Sequence, residues 1–91
     1  MEFEWDNKKA SENIKNHRIS FQEASTVFGD PLAITFDDPD HSIGEYRQLT
    51  LGNTRAGKYV IVSHIETSFN ATRIISARFM TKHERRIYEN A

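Results

Sequence analysis

Residues 59–79 read YVIVSHIETSFNATRIISARF, and their pattern sets the architecture predicted for the chain. The run Tyr59–Ile65 is the most apolar part of the chain, and its β-branched residues predict a central strand. The segment Thr67–Asn70 predicts a turn, and the residues from Thr72 to Phe79 predict the next strand. Because consecutive strands with a short connection pair antiparallel, this stretch predicts a sheet built as a meander.

Three further strands precede this pair in the sequence. Phe3 and Trp5 alternate with acidic residues, which predicts a short strand near the N-terminus. Leu32–Phe36 and Arg47–Leu51 predict the two strands before the central one. The polar, glycine-bounded segment Gly52–Gly57 predicts the hairpin connection into the central strand.

Polar residues mark the starts of the predicted helices. Asp6 can cap a helix from Asn7 to His17, in which Ala10 and Ile14 form one narrow inward stripe. Two further starts have the S/T-x-x-E form of a capping box. The boxes are Ser20-Phe21-Gln22-Glu23, whose helix ends at Gly29-Asp30-Pro31, and Thr81-Lys82-His83-Glu84, which opens the C-terminal helix.

The predicted order of elements is therefore β-α-α-β-β-β-β-α. This order indicates an α+β fold, with an antiparallel meander, two N-terminal helices and one C-terminal helix. At 91 residues the chain is too short for two independent cores, so we expect a single domain over residues 1–91.

The composition excludes several classes of protein. The chain has 12 Lys and Arg, 13 Asp and Glu and no Cys, and its formal net charge is −1. The lack of cysteine excludes disulfides and thiol chemistry. No apolar run approaches the roughly 20 residues of a membrane span, and the acidic N-terminus has no apolar signal core. We therefore expect a cytoplasmic protein without a membrane partner.

The two halves of the chain differ in charge. Residues 1–45 carry four basic and ten acidic side chains, whereas residues 46–91 carry eight basic and three acidic ones. The second half therefore suits a polyanion such as nucleic acid, and the first half suits a basic partner. The alternative is that the two halves neutralise each other within the fold.

A set of motifs runs through nearly the whole chain at ordinary spacings. Its members are Phe3-Glu4-Trp5-Asp6, Asp38-Pro39-Asp40-His41-Ser42, Glu45, Arg47, Gly52, Gly57, Arg73-Ile74-Ile75-Ser76-Ala77-Arg78, Glu84-Arg85-Arg86 and Tyr88. Together they resemble the BrnT family, the toxins of type II toxin–antitoxin systems. Phe79 and Met80 depart from the family, which more often has a basic residue and an alanine there.

The resemblance implies a compact RelE-like fold and a ribonuclease that arrests translation without a cofactor. It also implies a BrnA-like antitoxin of ribbon-helix-helix type as the partner, with operator DNA bound through the antitoxin. The alternative is a non-catalytic module of the same fold that binds RNA or the antitoxin. Phe79 and Met80 keep that alternative open, because they remove positive charge near the expected RNA face.

Cleavage of RNA without a metal requires a base for the 2′-hydroxyl, an acid for the leaving oxygen and donors for the phosphorane. Arg78 is the first candidate for the phosphate contact, and its alternative is an ion pair with Glu84. Glu45 and Arg47 share strand parity and predict either a base and a phosphate clamp or a simple ion pair. Arg73 is a candidate for RNA binding, but in a regular strand it faces away from Arg78 unless a β-bulge intervenes.

Two histidines are further candidates. His41 lies in a polar loop and is either a catalytic acid or base or an exposed side chain. His64 alternates with Val60 and Val62, so it is either catalytic or a core residue. The four histidines lack ligand spacing and there is no cysteine, so the sequence predicts no metal site.

The C-terminal helix carries the remaining candidates. Lys82, Arg85 and Arg86 can follow an RNA backbone, and Tyr88 can stack on a base. The alternative is that Tyr88 packs on the sheet while the basic side chains are solvated.

Overall fold

The computed structural model describes residues 1–68 and 70–91. Within them, strands and helices follow in the predicted order, which confirms the α+β class. The strands are β1 (Glu2–Glu4), β2 (Ile34–Asp37), β3 (Arg47–Asn53), β4 (Tyr59–Ser68) and β5 (Ala71–Phe79). The α-helices are α1 (Asn7–His17), α2 (Phe21–Ser25) and α3 (Lys82–Glu89), with 3-10 turns at Thr26–Gly29 and Pro39–His41. The predicted turn Thr67–Asn70 includes Phe69, which lies outside the described residues.

The strands described form one sheet in the order β1-β5-β4-β3-β2. Strands β2 to β5 form the predicted antiparallel meander. Strand β1 instead runs parallel to β5 and places Glu4 beside Arg73. The sheet is therefore mixed rather than wholly antiparallel. Because α1 and α2 separate β1 from the meander, no tight turn forces β1 to run antiparallel to its neighbour.

Helices cover one face of the sheet, which we call the helix face. The core there joins residues of α2 and its flanking segments to inward residues of β4 and β5. Its members are Ile19, Phe21, Ala24, Val27, Val60, Val62, Ile74 and Ala77. The opposite face is called the open face below. Helix α3 lies at the end of the open face next to the β3–β4 hairpin, where the rings of Tyr59 and Tyr88 are 5.9 Å apart.

Strand β5 contains a β-bulge that changes its side-chain pattern. Ser63 pairs with Ser76, but the next residue of β4, His64, pairs with Ile74, so Ile75 is the extra residue. The alternation reverses at the bulge. Arg73 and Arg78 therefore share the open face, which a regular strand forbids. In a regular strand Ile74 would share a face with Arg78, but here it is buried in the core with Ala77.

Helix α1 presents a different residue to the sheet than the sequence predicts. Ile14 is 49% exposed, whereas Asn13 is only 5% exposed. The Nδ2 group of Asn13 donates to the carbonyl oxygens of Ile19 and Ala77, both at 2.9 Å, and its Oδ1 accepts the Ala77 N–H at 3.0 Å. Strand β1 pairs with β5 only as far as Arg73, so the β1 side of β5 has no described strand beside it at Ala77. There the Asn13 amide makes the hydrogen bonds that a neighbouring strand would otherwise make.

The helix caps follow the sequence with one difference. Asp6 accepts the N–H groups of Lys8 and Lys9, and Thr81 forms a complete capping box with Glu84. The Ser20 box is half formed, because the Glu23 side chain does not return to the Ser20 amide. The Glu23 carboxylate instead accepts the hydroxyl of Thr54 and pairs with Lys58, which ties α2 to the hairpin. None of the described helices is long and apolar enough to cross a membrane.

Candidate active site

A row of side chains crosses the open face at the end opposite α3. Arg47 of β3 pairs with Ile65 of β4, and Ile65 in turn pairs with Arg73 of β5. Beside Arg73 lies Glu4 of β1. Two strand spacings of about 4.8 Å place the Cα atoms of Arg47 and Arg73 about 10 Å apart. Both guanidinium groups can therefore reach one ligand between them.

A cleft of about 440 Å³ opens at this end of the sheet. Its lining includes three cations, Lys9, Arg47 and Arg73, and three carboxylates, Glu4, Asp6 and Glu45. The structure thus brings together the predicted Glu45, Arg47 and Arg73. A phosphate entering the cleft meets two forked donors and an ammonium, with the three carboxylates beside them.

The arginines of the cleft are held by exposed carboxylates. Arg47 Nε lies 3.1 Å from Glu45 Oε1, and Arg73 Nη2 lies 3.4 Å from Glu4 Oε2. The Thr67 hydroxyl also donates to Glu4, and the two contacts hold the pKa of Glu4 below its ordinary value. Exposed ion pairs of this kind contribute little to stability, so a phosphate can replace the carboxylates at small cost.

Lys9 and Trp5 also line the cleft, and no sequence pattern marks either as a site residue. Trp5 packs edge-on against Phe21, with ring centroids 5.9 Å apart. Among the described residues, the Lys9 ammonium has no carboxylate partner. The motif Phe3-Glu4-Trp5-Asp6 carried part of the family resemblance, and it was the one signal that pointed to this segment.

Arg78 lies elsewhere on the open face, about 15 Å along β5 from Arg73 at the usual rise per residue. Its two terminal nitrogens donate to the two oxygens of Glu84 at 2.8 and 2.9 Å. Arg78 and the cap contact with Thr81 lower the pKa of Glu84 to about 2. In this structure the Arg78 fork is thus occupied by a carboxylate, which was the alternative left open by the sequence.

His64 lies on the helix face and is 2% exposed, so it cannot contact RNA in this conformation. Its Nε2 is 2.7 Å from the Thr50 hydroxyl, and its ring packs edge-on against Phe28. Its Nδ1 has no hydrogen-bond partner among the described residues. The structure therefore places His64 in the core rather than among catalytic groups. Burial lowers its pKa, with a smaller opposing effect from Glu66.

This burial predicts a loss of stability in mild acid. The unfolded chain protonates His64 near its ordinary pKa of about 6.5, whereas the folded protein resists protonation. The stability that the folded protein gains from holding His64 neutral is complete above that pH. It is lost as the pH falls toward the lowered pKa of His64 in the folded protein, by up to about 1.4 kcal/mol per pH unit. Urea unfolding between about pH 7.5 and 5.5 measures the slope. His64→Gln should flatten it and His41→Gln should not; an unchanged slope in His64→Gln contradicts the prediction.

His41 lies in the 3-10 turn after β2 and is exposed. Its Nδ1 is 3.0 Å from Asp38 Oδ2, and it is not among the residues that line the cleft. The next residue, Ser42, accepts the Arg47 N–H, which fixes the turn beside β3. The catalytic role of His41 therefore stays a prediction.

The predicted RNA contacts of α3 lie at the far end of the open face from the cleft. The Arg85 guanidinium lies 3.8 Å above the ring of Tyr59, and Lys82 is exposed. Tyr88 packs edge-on against Tyr59 and donates its hydroxyl to Asp30. Burial and that contact raise the pKa of Tyr88 to about 12. This geometry favours the packing role of Tyr88. Within residues 1–68 and 70–91, no three potential metal ligands come together.

Comparison with known proteins agrees with this architecture. Residues 5–84 match the profile of a family described as "Ribonuclease toxin, BrnT, of type II toxin-antitoxin system". The crystal structure of the Brucella abortus ribonuclease toxin BrnT superposes with a TM-score of 0.71 at 20% sequence identity, covering 90% of this chain and 99% of that one. The comparison with curated proteins gives no match. Since the profile covers most of the chain, the protein belongs to the BrnT family of ribonuclease toxins of type II toxin–antitoxin systems.

Proposed function

We propose that this protein is an endoribonuclease toxin that cleaves RNA in the cleft of the open face without a metal ion. The observation that carries the proposal is the convergence of Arg47, Arg73 and Glu45 on one cleft of about 440 Å³. Family membership supports RNA as the substrate and an antitoxin as the partner. The cleft adds the donors and the carboxylate that such a reaction needs.

The reaction is an internal transfer at phosphorus. The 2′-oxygen forms a bond to the neighbouring phosphorus, and the bond from phosphorus to the 5′-oxygen breaks. The 2′-hydroxyl proton passes to the base, and the departing 5′-oxygen takes up a proton from solvent water. The products are a 2′,3′-cyclic phosphate and a 5′-hydroxyl end. No oxidant, reductant or second substrate is required.

The cleft residues divide this work by their chemistry. We assign Arg47 and Arg73 to the non-bridging phosphate oxygens, where negative charge grows in the transition state. Glu45 is the base candidate, since its carboxylate already lies 3.1 Å from Arg47 and half in solvent. When a phosphate oxygen replaces Glu45 as the partner of Arg47, the Glu45 carboxylate is free to accept the proton of the neighbouring ribose hydroxyl. Lys9 adds a third cation, and Trp5 offers an aromatic surface for a base.

The biological consequence proposed is inhibition of translation in the cytoplasm, where messenger RNA is exposed. We further propose a ribbon-helix-helix antitoxin that neutralises the toxin and supplies all contact with operator DNA. The acidic first half of the chain supports that division of labour, because a net charge of −6 over residues 1–45 opposes binding to DNA by the toxin alone.

One observation favours a second candidate, a non-catalytic module that binds RNA or the antitoxin. The cations and carboxylates that line the cleft are equal in number, and both arginines are already paired. Such a cleft binds a polyanion less strongly than an unpaired basic one. Purified toxin incubated with RNA separates the two candidates, because only the enzyme shortens the RNA.

The metal-independent mechanism predicts that chelation has no effect. The cations that stabilise the phosphorane are protein side chains, so cleavage should proceed at the same rate in excess EDTA. The new 3′ ends should carry a 2′,3′-cyclic phosphate or its hydrolysis product, detected by mass spectrometry of a short RNA. Activity that disappears with EDTA and returns with an added divalent ion would refute this mechanism.

A further inference from the structure

The free edge of the sheet carries a surface that the proposed catalysis uses only at Glu45. Strand β2 is the last strand in the order β1-β5-β4-β3-β2, and among the described residues it pairs with β3 alone. Asp38 N–H donates to the Arg47 carbonyl, so alternate residues of β2 bond to β3. The backbone groups of Thr35 and Asp37 consequently point away from the sheet. They are donors and acceptors to which another strand can bind.

Apolar side chains surround this edge. Leu32 is 70% exposed and Ile43 is 89% exposed, and both Phe36 and Tyr46 are also exposed. These four lie within residues 32–46 and make up half of the exposed large apolar side chains of the described chain. The Tyr46 hydroxyl donates to Asp37, which holds the loop before β3 against β2. We call β2 and the loop up to Tyr46, residues 32–46, the edge surface.

The charge of the edge surface is of one sign. The sequence from residue 19 to residue 46 contains no Lys or Arg but contains six acidic residues. Four of the six, Asp37, Asp38, Asp40 and Glu45, lie on the edge surface. An acidic, apolar edge excludes RNA by like charge and instead suits a chain that carries both apolar and basic side chains.

We infer that the edge surface is the docking site of the antitoxin, which adds an extended segment of apolar residues and Lys or Arg beside β2. The inference rests on the proposed neutralisation by an antitoxin. Backbone groups of Thr35 and Asp37 supply the strand contacts, and Phe36 and Ile43 supply the apolar ones. Glu45 belongs to both the edge surface and the cleft, so a basic side chain that pairs with Glu45 also removes the candidate base.

Lysine substitutions test this surface. Ile43→Lys places a like charge against a basic segment and should weaken binding of the cognate antitoxin about tenfold or more in calorimetry. Phe36→Lys should do the same. Ile14→Lys on α1 is the matched control, since Ile14 is also an exposed isoleucine, and it should bind normally. Ile43→Glu should bind better than Ile43→Lys.

The remaining measurements separate the inference from the proposed function. RNA cleavage by Ile43→Lys without antitoxin should equal that of the wild type, because Ile43 is not part of the cleft. Wild-type antitoxin affinity in both folded lysine variants would overturn the inference while leaving catalysis intact. A wild-type dimer that Phe36→Lys dissociates would assign the surface to a second copy instead. Failure of the wild type to cleave RNA would refute the proposed function and not the docking site.

Discussion

Replacing Arg47 with Ala will lower single-turnover RNA cleavage by about 10²–10³-fold, the usual cost of removing one preorganised donor to a developing anion. Arg47 faces the cleft on β3, and its Nε contacts Glu45. The substitution therefore removes a phosphate donor and the partner that positions the candidate base. The fold should survive, because Arg47 lies outside the core and its backbone contacts remain. Cleavage of a short labelled RNA by excess enzyme measures the effect, with the melting temperature as the folding control.

Arg47→Lys should recover little of this loss. Lysine keeps the charge but replaces a planar fork with a single ammonium, so paired contacts to two phosphate oxygens are lost. Arg55→Ala, at the opposite end of β3 in the hairpin, is the matched control and should cleave normally. Arg78→Ala decides between the two arginine sites. If Arg78→Ala loses activity while a folded Arg47→Ala cleaves like the wild type, the scissile phosphate binds next to α3 and the cleft is not the active site.

The features predicted correctly from the sequence are those set by a few neighbouring residues. Asp6, Ser20 and Thr81 each accept a backbone N–H two or three residues ahead, so the helix starts could be read from the sequence alone. The start of β2 was predicted two residues early, at Leu32. Asp30 accepts the N–H of Leu32 and holds that residue in a turn, a local effect that the apolar pattern hides.

The features that the sequence left open depend on contacts between distant residues. The bulge at Ile75 arises where β5 meets β4, and it decides whether Arg73 and Arg78 share a face. The parallel pairing of β1 with β5 brings Glu4 to Arg73 across most of the chain. Neither pairing can be predicted from neighbouring residues, since the alternation of apolar and polar residues predicts a strand but not which strand it pairs with. The grouping of Arg47 and Arg73 in one cleft follows from the pairing of β4 with β3 on one side and with β5 on the other.

The clearest failure of pattern reasoning is Asn13. A helical apolar stripe predicts that Ile14 faces inward, because apolar side chains usually gain most from burial. Beyond Arg73, β1 no longer pairs with β5, and this edge of β5 makes it more favourable to bury Asn13 than Ile14. Leaving the buried N–H and carbonyl of Ala77 without partners costs more free energy than exposing one isoleucine. The Asn13 amide forms hydrogen bonds to both groups.

This role predicts a large effect on stability. Asn13→Ala removes three hydrogen bonds of 2.9–3.0 Å and leaves the Ile19 carbonyl and both backbone groups of Ala77 without that partner. Each abandoned buried group costs about 1–3 kcal/mol, so the free energy of unfolding should fall by about 3–4 kcal/mol. Urea denaturation measures this loss. Asn16→Ala, an exposed asparagine on the same helix, is the matched control and should be nearly neutral.

Asn13→Asp separates hydrogen bonding from the mere loss of side-chain volume. The carboxylate keeps the shape and still accepts the Ala77 N–H, but it cannot donate to the carbonyls of Ile19 and Ala77. It should therefore destabilise the protein at neutral pH at least as much as alanine does, because a buried charge then faces two carbonyl oxygens. Protonation in acid restores one donor, so the deficit of Asn13→Asp relative to wild type should shrink as the pH falls. If Asn13→Asp is as stable as wild type at neutral pH, the donor contacts do not hold α1 to β5, and packing of the helix alone accounts for its position.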